Sequence, residues 1–292
     1  MVVVPARTET WTYVDGDWHE GNVAVAGPLT HAFWQGSSVF DGARAVDGST
    51  PDVELHFERV NASARALGME PTHSVDDMLG LLKDGLAKFQ GSETIYIRPM
   101  YWADNPGFMG VPCDPASTRF LLCLYETPMN TTTGMALGLS SFRRPTFETA
   151  PTNAKAGCLY PNNARAIMEA RNRGFDNAIV LDMLGNVAES GLSNLFLVKD
   201  GIVRTPQENG TFLAGITRHR SMTLLRDAGF VVEETTLRMD DFLKADEVFS
   251  SGNHSKIMPV TRIEGHEMQL GPTTARVRDL YWDWARQTSA QT

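Results

Sequence analysis

Cysteine is scarce. The 292 residues contain three, Cys113, Cys123 and Cys158, with no C-x-x-C pair, so the chain has neither an even disulfide framework nor a structural zinc motif. That usage fits a reducing cytoplasm. No run of ~18 apolar residues occurs, so no membrane-spanning helix is expected. The opening MVVVPARTETW has only a short apolar run before Pro5 and Arg7, well below the ~7 to 15 residues of a secretory core. Lys and Arg (26) are outnumbered by Asp and Glu (35), giving a net charge of -9 with no basic stripe. Nucleic-acid binding rests on neutralising phosphates, so that class is excluded and a small-molecule substrate is expected. Neither a G-x-G-x-x-G fingerprint after a strand nor a Walker loop is found, which sets aside dinucleotide and nucleotide folds, and no metal site is expected.

What is present suits a large core. At 42% hydrophobic residues the length predicts one large or two mid-sized domains, burying roughly three quarters of the unfolded surface without staples. TWTYVDGDWHEG reads as a hairpin turning at Asp15-Gly16, and SSVFDGARAVDG as further strand ending in a second Asp-Gly. HFERVNASARALGM puts Phe57, Val60, Ala64 and Leu67 at helical spacing, and SVDDMLGLLKDGLAKFQ starts a helix on Ser74 as N-cap. ETIYIRPMYW and TRFLLCLYE read as buried strands. The polar stretch Thr127 to Gly134 reads as a link, giving a smaller domain over 1–126 and a larger one over 135–292. In the latter, a helix from about Asn162 to Arg173 precedes a meander, expected to be antiparallel, with turns at Leu184-Gly185-Asn186 and Lys199-Asp200-Gly201. Helices near Thr217–Asp227 and in DDFLKADE alternate with the strands FVVEETTL and EVFSSG before a last Arg- and Trp-rich helix. The fold class is mixed α/β.

Only six lysines are available as covalent nucleophiles. Lys83, Lys88 and Lys244 lie in charged helices and Lys199 in a hairpin turn, settings of ordinary solvated lysines. Lys256, in a loop after Asn253-His254-Ser255, is either a second candidate or a plain loop lysine. Lys155, in TNAKAGCLYPNNAR, is flanked by small residues that let a bulky ligand approach the backbone. A lysine working through pyridoxal phosphate needs an acid for the pyridine nitrogen and a cradle for the phosphate. Glu189, in NVAESGLSNLFLV, is either a strand carboxylate facing water or one held by a cationic partner. In LAGITRHR, Gly215 precedes a helix whose first amides, near Ile216 and Thr217, can face an anion, and Arg59 can clamp the same anion or pair with an acid.

Taken in order, SSVFDGAR, HFERVNASA, YIRP, KAGCLY, VAESGLSNLF, AGITR and SGNHSKIMPV resemble the class IV pyridoxal-phosphate aminotransferases, specifically the branched-chain amino acid enzymes, over about His31 to Gly265. The resemblance implies a two-domain fold type IV homodimer with the cofactor between its domains. It implies that Lys155 forms the Schiff base, Glu189 keeps the pyridine nitrogen protonated and Tyr160 bonds the phenolic oxygen. Arg59, Ile216 and Thr217 would bind the phosphate, joined by Asn253 or Ser255. Tyr96 and Arg98 would shape the carboxylate side. Phe40, Met109 and Val111 would line an apolar side-chain pocket, and the Asn253 and His254 amides would take the other carboxylate oxygen. The implied reaction is ping-pong exchange between a branched-chain L-amino acid and 2-oxoglutarate.

Two departures concern specificity. Gln35 stands before Gly36 where the family has a tyrosine, which alters the pocket wall, and the loop reads SGNHSK instead of a small, hydroxyl-rich run. Action on R-configured amines therefore stays open. D-amino acid aminotransferases and aminodeoxychorismate lyases share the fold, but YIRPMYW lacks the histidine of the former and, with KAG-x-x-Y, fits the latter less well.

Overall fold

The computed structural model describes residues 8–89, 91, 94–129 and 133–289. The chain forms two compact units, one running to Pro128 together with Ala154–Cys158, the other comprising Met129–Asn153 and the residues from Leu159 on. No helix among the described residues is long and apolar enough to cross a membrane. The expected link at 127–134 includes residues 130–132, which lie outside the described residues.

In the first unit β1 (Thr10–Val14) and β2 (Asp17–Glu20) form the expected hairpin. A short α1 (His31–Gln35) leads into β3 (Ser38–Phe40) and β4 (Ala43–Val46). Asp15-Gly16 and Asp47-Gly48 have positive φ at both residues, the geometry that lets two-residue turns follow strand twist. Helices α2 (Val53–Ala66) and α3 (Val75–Leu86) precede β5 (Thr94–Ala103) and β6 (Thr118–Glu126). The sheet order is β2-β1-β6-β5-β3, with β4 also pairing β5. Both short strands use one long partner: β3 faces residues 100–102 and β4 faces 94–97. The break between them falls opposite Pro99, which has no N–H to give, and there the Asp41 amide donates to the Pro99 carbonyl at 3.0 Å. Asp41 is thereby set inside the sheet at 0% exposure.

The second unit opens with β7 (Met135–Arg143), followed by α4 (Tyr160–Asn172), β8 (Asn177–Leu181), β9 (Val187–Ser190), β10 (Asn194–Lys199) and β11 (Ile202–Pro206). Then come α5 (Ile216–Asp227), β12 (Val232–Thr235), α6 (Met239–Leu243), β13 (Glu247–Gly252), β14 (Lys256–Ile263), β15 (His266–Glu267) and α7 (Pro272–Ser289). Helix α4 starts two residues before the expected point because Pro161 suits a first helical turn.

The antiparallel meander needs correction. β8/β9 and β10/β11 are antiparallel pairs, but β10 takes β13 as its other neighbour. The sheet is mixed, since β7 runs parallel to both β14 and β8, and β11 runs parallel to β12. The turn at Ser190–Ser193 redirects the chain: Ser190 Oγ donates to the Ser193 carbonyl and accepts from the Ser193 amide. The inner strands β8 and β10 are buried on both faces, as a sheet covered on both sides requires. In β10, Leu195 and Leu197 join Ile179, Val187, Val248 and Val260 in one cluster, while Phe196 and Val198 join Met222 and Leu225 of α5 and Val277 of α7 in another.

Ser74 caps α3 by accepting from the Asp77 amide, and the Asp77 carboxylate accepts from the Ser74 amide, a reciprocal capping box. Ser74→Ala is expected to cost about 1 kcal/mol. Urea unfolding should show a lower midpoint at unchanged slope; an unchanged midpoint would mean the cap contributes nothing.

Candidate active site

Lys155 belongs to the first unit, and two elements, α2 and β3, hold its backbone. Its amide donates to Ser63 Oγ on α2 at 3.0 Å, its carbonyl accepts from the Phe40 amide at 3.1 Å, and Ala156 bridges to Val39 of β3. The small residues around it also have a packing role. Ala156 is fully buried, and a Cβ on Gly157 would come within 2.8 Å of Ser38 Oγ. Lys155 Nζ lies 5.1 Å from the centre of the Phe40 ring.

Arg59 stands four residues before Ser63 on the same helix, so the α2 face that seats Lys155 also carries this guanidinium. Its Nε and Nη2 grip Asp41 at 2.7 and 2.9 Å, and His56 Nδ1 reaches Asp41 Oδ1 at 2.7 Å. Burial would raise the Asp41 pKa, but the charges and hydrogen bonds of Arg59 and His56 override it and hold the carboxyl far below its ordinary range. Asp41 and Ser63 escaped the sequence reading; Asp41 passed as one residue of the strand-like run SSVFDGARAVDG.

On β5, Tyr96 and Arg98 share one face, as their spacing requires. Tyr96 stacks on Tyr125 of β6 at 5.1 Å, and the Arg98 guanidinium sits 5.2 and 5.0 Å from the two ring centres while donating to the Tyr125 hydroxyl. Arg44, 1% exposed, lies 5.4 Å from the Tyr96 ring. Burial pushes the Tyr125 hydroxyl up to about 12, so it stays protonated. Arg98 forms no ion pair among the described residues, and its buried Nε has no hydrogen-bond partner, as an anion site requires. Gln35, Met109 and Val111 are exposed, the last two at 81% and 67%, so this chain encloses neither in an apolar pocket. Phe40 is half-buried.

In the second unit Glu189 is buried on β9 and has the cationic partner its burial demands. Arg144 Nε lies 3.2 Å from Oε1, and Asn194 Nδ2 lies 3.5 Å from Oε2. Arg144 is itself fixed by the Thr211 carbonyl at 3.0 Å and by Asn163 Oδ1. The sequence offered no signal for Arg144, one of two adjacent arginines in S-F-R-R-P. Tyr160 is the first residue of α4.

Gly215 caps α5 because no side chain fits: a Cβ there would fall 2.0 Å from Asn194 Oδ1. The amides of Ile216 and Thr217 are among the first of this twelve-residue helix, which have no intrahelical acceptor. Ser251 of β13 pairs with Asn194 in the ladder, is 1% exposed, and its Oγ has no hydrogen-bond partner. A helix start, a bare glycine and an unsatisfied buried hydroxyl fit a phosphate. Lys256, read from sequence as a loop lysine, is the first residue of β14 and is buried. No group of His, Cys, Asp or Glu among the described residues could hold a metal ion.

A family model described as amino-transferase class IV matches residues 38–263. The branched-chain-amino-acid aminotransferase of Escherichia coli (strain K12) is 31% identical over 277 residues, covering 91% of this chain and 88% of the relative. Among solved structures, an aminotransferase from Brucella abortus bound to pyridoxal phosphate is 51% identical, with a TM-score of 0.94 over 95% of this chain and 99% of that one. The Escherichia coli branched-chain enzyme superposes with a TM-score of 0.88 at 30% identity, over 96% of this chain and 95% of that one. The mixed α/β fold is that of the fold type IV aminotransferases. The chain belongs to the class IV aminotransferase family.

Asp41→Asn is expected to cost about 3 kcal/mol at pH 7, because the guanidinium loses its counter-charge. The folded-state pKa of Asp41 is depressed, so its stabilisation is complete above about pH 5 and drains away as pH falls below the unfolded value near 4. Urea unfolding of both proteins at a series of pH values should show the gap narrowing toward pH 2. A gap independent of pH would contradict the pairing.

Proposed function

We propose that the protein transfers the amino group of a branched-chain L-amino acid to 2-oxoglutarate through Lys155. At the level of class, it is a pyridoxal-phosphate-dependent aminotransferase. The observation that supports the role of Lys155 is the α2 face that seats it through Ser63 and presents Arg59 one turn away, and the likeness to the Escherichia coli enzyme supports the branched-chain substrate.

When bound, pyridoxal phosphate supplies an aldehyde that condenses with amines and a protonated ring that draws electrons from the bond broken at Cα. Lys155 Nζ is the amine assigned to that aldehyde, and as a free base it would hold the proton that leaves the substrate Cα. Glu189, paired with Arg144, would accept from the ring N–H. Tyr160 donates to the phenolic oxygen. Arg59, held in orientation by Asp41, and the Ile216 and Thr217 amides bind the phosphate, with Asn253 as a further donor. Arg98 offers its unsatisfied Nε to a substrate carboxylate beside Tyr96, with the His254 amide assigned to the other oxygen. Because donor and acceptor acids use the same groups in turn, the kinetics are ping-pong.

The exposed Phe33, Phe108, Met109 and Val111 support a homodimer in which a second copy covers them, bringing Met109 and Val111 to an apolar pocket. Three free thiols fit a reducing cytoplasm.

Two measurements test this reading. Borohydride reduction of the holoenzyme followed by peptide mass analysis should put the cofactor's mass on Lys155; a tag on another lysine would move the catalytic role there. L-Leucine added without acceptor should bleach the visible band of the bound cofactor. Bleaching by an R-configured arylalkyl amine alone would keep the chemistry and overturn the substrate, an outcome the exposed Gln35 leaves room for.

A further inference from the structure

The turn from β13 to β14 is built against local preference. Gly252 pairs with Lys256, leaving Asn253, His254 and Ser255 as the loop, and Lys256 takes the left-handed position at φ +56, where glycine or asparagine is favoured. The lysine is also 1% exposed, so its ammonium is withdrawn from water. Backbone strain and burial both oppose this residue, yet the side chain turns back into its own loop: Nζ lies 2.7 Å from Asn253 Oδ1 and 5.7 Å from the centre of the Tyr281 ring on α7.

That contact decides which way the Asn253 amide faces. An ammonium group only donates, so the atom it meets must be the amide oxygen, and Nδ2 with its two N–H groups is turned the other way. A hydroxyl in this place would rotate to suit a ligand, whereas an amide presents a donor only if something fixes its flip.

The neighbourhood is one for an anion. Ser251, two residues before Asn253, carries the unsatisfied buried hydroxyl and pairs with Asn194, which packs against Gly215 at the start of α5. We infer that Lys256 is a positioning residue that fixes the Asn253 amide so that Nδ2 donates to an anionic oxygen of the ligand, either the cofactor phosphate or the substrate carboxylate. The inference rests on the proposed function and assigns Lys256 a task that none of its matched motifs requires.

The test is a double-mutant cycle of Lys256→Met and Asn253→Ala, reading the dissociation constants of pyridoxal phosphate and of pyridoxal, which lacks the phosphate, and kcat and KM for leucine and 2-oxoglutarate. If the oxygen belongs to the phosphate, Lys256→Met weakens pyridoxal phosphate about tenfold and leaves pyridoxal unchanged. If it belongs to the substrate, cofactor affinity stays and KM rises about tenfold at nearly constant kcat. In either case the effect should shrink below about twofold in the Asn253→Ala background, because Lys256 acts through that amide. Asn253→Asp, which keeps an oxygen toward Lys256 but turns a second oxygen toward the anion, should weaken the same constant more than Asn253→Ala. Equal effects of Lys256→Met in both backgrounds, or none in either, would overturn the inference while the borohydride tag on Lys155 still upheld the function; absence of that tag would sink both. Thermal unfolding of Lys256→Met guards against a folding defect, since a methionine of similar length should leave the melting point near that of the parent.

Discussion

A carboxylate removed from water must be paired, and Asp41 shows how much can be built on that requirement. The break in the sheet opposite Pro99 buries Asp41 completely, so His56 and Arg59 must come to it. Both lie on α2, which locks that helix against β3. The same helix then offers Ser63 to the Lys155 amide, while β3 offers the Phe40 amide to its carbonyl. One buried charge thus fixes the orientation of a guanidinium and, through the elements it clamps, the backbone of the lysine.

The rule recurs in the second unit with different outcomes. Glu247 spends both oxygens on the start of α7, accepting from the Thr273 and Thr274 amides and the Thr274 hydroxyl, and is purely structural. Glu189 meets Arg144, which is anchored by Thr211 and Asn163, so one oxygen is engaged by a rigid cation. Charge satisfaction therefore takes two forms here, backbone amides and a hydroxyl for Glu247, and a fixed cation with a side-chain amide for Glu189. The complementary sign of function is a polar atom buried without an answer, and Arg98 Nε and Ser251 Oγ are two on faces that carry predicted site residues.

Local chemistry was legible in the sequence because local physics sets it. The Asp-Gly turns, the Ser74 cap, the α5 start at Gly215 and the alternation of β5 all follow from a few neighbouring residues. Strands β7 and β14 were not legible, since M-A-L-G-L-S-S-F-R has no clean alternation and β14 begins on a lysine. Their parallel pairing is a long-range choice that no local pattern encodes. Arg59, Lys155 and Glu189 were visible as charged side chains in ordered motifs, while Asp41 and Ser63, in two of the same motifs, and Arg144 were hidden because their importance comes from what they touch. Lys256 was visible as a candidate, but its burial and its contact with Asn253 were not.

The proposed reaction sets one pocket a contradictory task, since an aliphatic side chain wants an apolar wall and a dicarboxylic 2-oxo acid wants a cation. The face of β5 and β6 has the means to meet both. Tyr96 and Tyr125 stack, and their rings lie against the Arg98 guanidinium, so an aliphatic group can meet aromatic surface. The guanidinium, pinned by the Tyr125 hydroxyl, keeps a buried Nε with no hydrogen-bond partner, the donor that the proposed reaction assigns to a carboxylate. Stacking leaves the donors in the guanidinium plane available, which an ammonium on a flexible stem could not offer as directionally. Dual specificity then needs no movement of the strand, only a choice between ring face and guanidinium edge.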